Sequence, residues 1–257
     1  MRAPIFVIGY PRSGTSFVGK LIGTFTGYPS HGEAHTTPLL QHIIHQINLC
    51  RSRKDFTGAE LIKEMDLQAL KDININFFRE FYLQTYGGEG FIDKTPGPTA
   101  CNGWAVVKSI FPKACFVACV RSPVEVYESA VQKFGSREGD AANVDFVQLA
   151  EGWVGAMSGI EKLAASPYGA DLHVVSQLEL RSDPVKAVPD LFRFLQVPEA
   201  KVSEGVDLCS RSRDDVLTES IARPEYRQLD QLLIEESMKQ RFRDICTSTC
   251  KRWNIAI

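Results

Sequence analysis

Pro11-Arg12-Ser13-Gly14-Thr15-Ser16 gathers a fixed positive charge, three hydroxyls and a glycine into six consecutive positions. Gly14 lets the backbone approach an oxyanion, Ser13, Thr15 and Ser16 supply hydroxyl donors, and Arg12 supplies charge. Such a loop, placed after a strand and before a helix, binds anions through backbone N–H groups and the helix N-terminus. It lacks the Lys-Ser/Thr ending of a Walker A sequence, which argues against a magnesium-nucleotide site. Arg121 closes a strongly apolar run, and Ser129 follows eight positions later on the next helix. For proton transfer, His31, Glu33 and His35 lie close together in Ser30-His31-Gly32-Glu33-Ala34-His35. A carboxylate or an imidazole could each take the proton of an attacking hydroxyl. Lys94, in Asp93-Lys94-Thr95-Pro96, follows a short strand, and Pro96 holds the backbone before it extended. The histidines at 31, 35, 42 and 45 have no acidic or cysteine cluster beside them, so no metal site is expected.

The loop, the strand-end Arg121 and the helical Ser129, in this order and spacing, resemble the two nucleotide motifs of the sulfotransferase family. That family's donor is 3′-phosphoadenosine 5′-phosphosulfate (PAPS), and its product is adenosine 3′,5′-bisphosphate. The resemblance runs from Ile5 to about Leu195 and is to the bacterial and Golgi-type members. It implies that Arg12, Ser13, Gly14, Thr15 and Ser16 cradle the 5′-phosphosulfate, that Arg121 and Ser129 bind the 3′-phosphate, and that Phe17 lies against the adenine. Phe17 as a core residue of the first helix is the alternative. The resemblance further implies Glu33 as catalytic base in preference to His35, Lys94 facing the sulfuryl group, and Arg12 on the bridging oxygen and sulfonate. Leu178-Glu179-Leu180-Arg181-Ser182-Asp183-Pro184 followed by Phe192-Arg193-Phe194-Leu195 is similar to the family's acidic turn and helix end. The chain departs from the pattern twice. Gln177 stands where Tyr is frequent, and the C-terminal Arg-Lys-Gly segment is missing, leaving Arg211 and Arg213 as the nearest basic residues.

These residues need a scaffold that brings them to one edge. Ile5 to Ile8 is a short apolar run between Pro4 and Gly9, the pattern of a strand buried on both faces of a parallel sheet, and is expected to be central. Val18, Leu21, Ile22 and Phe25 recur at helical spacing until Gly27 and Pro29. Helices are predicted over 39–49, 61–86, 104–110, 144–165 and 184–195, and strands at 91–92, 115–120 and 172–176. Ser122-Pro123-Val124-Glu125 reads as a capping box opening a helix to about Phe134. Residues 196–224 read as an irregular lid or substrate loop, and the segment from Pro224 onward as helix. Strands alternating with helices predict an α/β fold: a single domain, residues 1–257, with a central parallel sheet flanked by helices, similar to P-loop NTPases.

Composition narrows the function. The 257 residues are 44% hydrophobic and 23% charged, as in ordinary globular proteins. A net charge of -2 provides no global attraction to nucleic acid or anionic membrane, so any anion must be gripped locally. Neither a membrane span nor a signal peptide is expected. The seven cysteines show no C-x-x-C pairing and suit cytoplasmic, mostly buried thiols. The expected activity is transfer of a sulfuryl group from PAPS to an acceptor hydroxyl, on a carbohydrate or small molecule. The alternatives are a P-loop small-molecule kinase and an inert PAPS-fold binding protein. Phe77, Phe78, Phe81 and Tyr82 are candidates for an acceptor cleft or for core.

Overall fold

The computed structural model describes residues 3–52, 66–134, 144–210 and 227–257. Four parallel strands, β1 (Ile5–Gly9), β2 (Ile92–Lys94), β3 (Cys115–Val120) and β4 (Leu172–Ser176), form one sheet in the order β2-β1-β3-β4. All five residues of β1 are buried, as its unbroken apolar run requires for an inner strand covered on both faces. Ile5 is in register with Ile92 on one side and Cys115 on the other.

The period of two along each strand sorts the core into two layers. Phe6, Ile8, Phe116, Ala118 and Val120 join one cluster. It is completed from α3 (Leu67–Tyr86), α5 (Trp104–Ile110), α6 (Pro123–Phe134), α7 (Phe146–Ala164) and α11 (Glu236–Trp253). Ile5, Val7, Val117 and Cys119 face the other way. They pack on α1 (Thr15–Thr26), α8 (Gln177–Ser182), α9 (Pro184–Phe194) and α10 (Val202–Ser210). The remaining helices are α2 (Thr36–Ser52) and α4 (Pro98–Asn102). In α7, Gly159 permits a close crossing, because a Cβ there would stand 2.7 Å from the Cys101 carbonyl of α4.

Four expectations need correction. The strand expected at Phe91-Ile92 runs Ile92–Lys94, carrying Lys94 on the sheet itself. The span 196–224 is not irregular throughout. Val202, Val206 and Cys209 recur at helical spacing and pack against the second core layer, which outweighs the segment's polar composition. Its part from 211 onward, with Arg211 and Arg213, lies outside the described residues, as do 61–65 and 224–226. Near the C-terminus a 3-10 turn, Leu229–Gln231, precedes α11. The capping box at Ser122 is also replaced: Ser122 Oγ donates to the Ala256 carbonyl at 3.3 Å, and Glu125 turns to Arg121.

Candidate active site

The loop between β1 and α1 bends through two left-handed residues, Arg12 (φ 70) and Gly14 (φ 93). Gly14 sits at the N-cap of α1, where no side chain accepts from the first N–H groups. Those donors are the orphan groups that attract an anion to a helix start. Ser13 is 1% exposed, and its hydroxyl has no hydrogen-bond partner among the described residues. A buried donor without an acceptor is costly, at about 1–3 kcal/mol. A phosphate oxygen at this loop would satisfy it, so the donor set fits a phosphosulfate.

Arg121 and Ser129, far from the loop in sequence, meet it in space. Arg121 directly follows β3 and is buried, its Nη1 donating to the Arg12 carbonyl at 2.8 Å and its Nε to Glu125 at 3.0 Å. Trp153 Nε1 donates to the Arg121 carbonyl at 3.0 Å and fixes the strand end. Ser129, on the buried face of α6, accepts from Arg12 Nε at 3.2 Å. Arg12 therefore links the loop to the second anion motif, with its guanidinium Nε turned toward Ser129. Phe17 is half-buried and packs on the α1 side of the core. Gln177 packs on the loop, its Cγ 3.1 Å from where a Gly14 Cβ would stand.

A second group forms at the sheet edge. Alternation along β2 sends Asp93 to one face and Lys94 to the face of α1, where the Lys94 stem lies beside Gly19. Lys94 Nζ is 3.0 Å from Glu33 Oε1 and 3.2 Å from Ser16 Oγ at the first turn of α1. Glu33 Oε2 is 3.2 Å from His35 Nε2. The two candidate bases are thus in contact, and the candidate cation joins them to the phosphate loop. Glu33 is 40% exposed and Lys94 13%, so an incoming acceptor can reach the carboxylate while the ammonium stays partly shielded. His31 lies against Tyr86 in a tilted ring pair, with centroids 5.0 Å apart, and does not enter this cluster. His42 and His45 are exposed on α2. No metal-binding group of three or more ligands occurs among the described residues.

Sequence reasoning overlooked what holds this cluster. Asp93 is 1% exposed and accepts from Tyr82 at 2.5 Å and Thr95 at 2.7 Å. Thr95 Oγ1 in turn accepts from the His35 backbone N–H at 3.3 Å, where His35 adopts a left-handed φ of 51. Burial drives the Asp93 carboxyl above its ordinary range, and the hydrogen bonds from Tyr82 and Thr95 oppose this. The available signal was Asp93 itself, a charged residue one step from Lys94 in a strand and so facing the core. The aromatic candidates divide: Phe78 and Tyr82 are core, and Phe77 and Phe81 are exposed. Buried Cys101 and Cys209 have thiols pushed up to about 12, so neither is a ready thiolate.

A family model described as the sulfotransferase family matches residues 4–201. The fold is similar to the sulfotransferase domain from the curacin biosynthetic pathway. That likeness is at 18% identity and a TM-score of 0.58, covering 100% of this chain and 99% of the other. It is also similar to sulfotransferase STF9 from Mycobacterium avium (12%, TM-score 0.59, 100% and 78%). The mouse sulfotransferase SULT7A1 complexed with PAP is a further likeness (11%, TM-score 0.56, 97% and 85%). No curated protein matches the chain.

Proposed function

The chain belongs to the sulfotransferase family, and from that premise we propose that it transfers the sulfuryl group of PAPS to a hydroxyl of a carbohydrate or small-molecule acceptor. The observation that supports the reading is the contact of Lys94 with both Glu33 and Ser16, a carboxylate and an ammonium beside a loop whose donors fit an anion.

The residues divide the work. Ser13, Gly14, Thr15 and the first N–H groups of α1 would hold the 5′-phosphate, Arg121 and Ser129 the 3′-phosphate, and Arg12 would bridge the two. PAPS supplies an electrophilic sulfur: a bond forms from the acceptor oxygen to it as the bond to the 5′-phosphate oxygen breaks, the electron pair leaving on that oxygen. Glu33 takes the acceptor proton, and Lys94 stabilises the charge that grows on the departing oxygen and the sulfonate. Holding both partners in line supplies a further large share of the acceleration. His35, on the other Glu33 oxygen, orients the carboxylate. The free thiols, most of them buried, suit a reducing compartment, and we place the enzyme in the cytoplasm. No helix among the described residues is long and apolar enough to cross a membrane.

Transfer of label from ³⁵S-PAPS across a panel of hydroxyl acceptors, beside thermal shift with the bisphosphate, tests the reading. Binding of the bisphosphate with no transfer to any acceptor would make the protein an inert PAPS-fold binder. Stabilisation by magnesium-ATP alone would make it a kinase.

A further inference from the structure

Glu33 lies between two bends. Gly32, at φ 80, and His35, at φ 51, both have left-handed backbones. Glycine adopts that region freely, but histidine carries a Cβ that disfavours it, so contacts from the surrounding structure must hold His35 there. Three contacts do so. The His35 carbonyl accepts from the Leu39 N–H at 3.2 Å in the first turn of α2, its ring Nε2 meets Glu33 Oε2 at 3.2 Å, and its own N–H donates to Thr95 Oγ1 at 3.3 Å. The last of these comes from the sheet. Thr95 is 4% exposed and directly follows β2, its backbone held extended by Pro96. Just beyond it, the Gly97 N–H donates to the Gly9 carbonyl of β1 at 2.7 Å. A threonine hydroxyl has a single hydrogen. Thr95 gives it to Asp93 Oδ1 at 2.7 Å, which turns the lone pairs of Oγ1 to the His35 N–H. Asp93 grips the same segment a second way, because its other oxygen accepts from the Tyr82 hydroxyl, and the Thr36 and Thr37 hydroxyls come within hydrogen-bond reach of that same Tyr82 oxygen.

We propose that Thr95 is a positioning residue for the transfer reaction: its hydroxyl clamps the left-handed His35 and so keeps the Glu33 carboxylate aimed between the imidazole and Lys94. The inference rests on the sulfotransferase reading of the same site. Thr95 acts through His35 and not on the substrate. Asp93, Lys94 and Thr95 are consecutive, and alternation along the extended chain sends Lys94 to one face and its two neighbours to the other. One short stretch therefore sets the cation directly and the base through His35. Without the clamp, His35 relaxes toward an ordinary φ and its ring leaves Glu33 Oε2, so the carboxylate keeps only its contact with Lys94. Reaction rate is steep in such geometry, a misplacement of about 1 Å costing as much as 10²-fold. Donor binding should not follow, because the proposed anchors of the two phosphates lie in the loop after β1 and at Arg121 and Ser129.

Thr95→Val and Thr95→Ser test this in the whole chain with ³⁵S-PAPS. Methyl glucoside, 4-nitrophenol and a hydroxysteroid serve as acceptors, and rates are compared on the one turned over fastest. Valine keeps the shape and removes the hydroxyl, whereas serine keeps the hydroxyl. Thr95→Val should lower kcat by roughly 10- to 100-fold while acceptor KM and the thermal shift given by the bisphosphate stay close to the parent's. Thr95→Ser should recover most of the parent kcat. A lower Tm in Thr95→Val with kcat unmoved would make Thr95 a packing residue and overturn the proposal. A Thr95→Ser variant as slow as Thr95→Val would overturn it too, because the hydroxyl would then not be what matters. Amide hydrogen exchange keeps the test open if Thr95→Val does not fold. The His35 N–H should be protected in the parent and in Thr95→Ser, and its exchange at the unstructured rate in the parent would mean that no clamp exists. Transfer by the parent to none of the acceptors would strike the sulfotransferase reading, whereas a parent that transfers no faster than Thr95→Val strikes the clamp alone.

Discussion

Glu33 and Lys94 form an ion pair, Oε1 to Nζ at 3.0 Å, although they lie 61 positions apart along the chain. The pair joins the loop after α1 to the sheet edge and sets the proposed base beside the proposed leaving-group cation. Glu33→Gln retains the shape and the hydrogen bond to Lys94 but removes basicity. Transfer should fall by roughly 10²- to 10⁴-fold, the usual contribution of a general base, with bisphosphate affinity retained. His35→Ala should cost less, because His35 touches only the second oxygen of Glu33. Single-turnover rates of both variants decide this, and a larger loss in His35→Ala would make His35 the base.

The bisphosphate should stabilise the fold because both of its phosphates have proposed anchors. At a hundredfold excess over Kd the linkage contribution is about 2.7 kcal/mol. AMP lacks the 3′-phosphate and should give a much smaller Tm shift at equal concentration. Equal shifts from AMP and the bisphosphate would remove Arg121 and Ser129 from the nucleotide site.

Much of this site was legible in the sequence because its parts obey local rules. Ile5 to Ile8 reads as an inner strand from its unbroken apolar run, and Trp104–Ile110 and Cys115–Val120 lie where periodicity puts them. The glycine and hydroxyls of the loop after β1 mark a candidate anion site by type alone. Relationships set by tertiary packing were not legible. Nothing in the spacing of Tyr82, Asp93, Thr95 and His35 announces a hydrogen-bonded chain, since only folding brings α3 to β2. Nor could the pattern around Phe77 to Tyr82 tell core from surface, because aromatics occupy two faces of α3. Val202–Ser210 was missed for a different reason: its three packing residues are spaced for a helix but diluted by Ser, Glu and Asp.

The buried Asp93 makes a stability prediction with a definite sign. Its folded-state carboxyl is raised chiefly by burial, so the folded protein holds this proton more tightly than the unfolded chain. Its contribution is fully present below the unfolded value near 4 and is lost as pH rises through the folded value. The stability difference between the parent and Asp93→Asn should therefore move against the parent as pH increases from about 4. Urea unfolding at a series of pH values measures it. A difference that stays flat from pH 4 to 8 would mean that burial does not govern this carboxyl. Tyr82→Phe should widen the effect, because it removes a hydrogen bond that favours the ionised form.

Lys94 and Arg121 should fail in opposite ways when truncated. Negative charge grows on the 5′-phosphate oxygen and the sulfonate only as the sulfur–oxygen bond breaks, so a cation there acts mainly on the transition state. Lys94→Ala should therefore lose about 2.7–4 kcal/mol of transition-state stabilisation, by analogy with deletion of one oxyanion donor, while bisphosphate Kd changes far less. In the proposed site Arg121 binds the 3′-phosphate, whose charge is the same before and after transfer, so its interaction would be uniform along the reaction. Arg121→Ala should raise the bisphosphate Kd and leave the single-turnover rate at saturating donor much closer to the parent's. Its buried guanidinium also holds the Arg12 carbonyl, so some loss of Tm is expected in that variant alone. Arg121→Lys separates the two effects by restoring charge without the planar fork. If Lys94→Ala transfers sulfate at the parent rate, Lys94 serves only to pair Glu33, and the stabilising cation is Arg12.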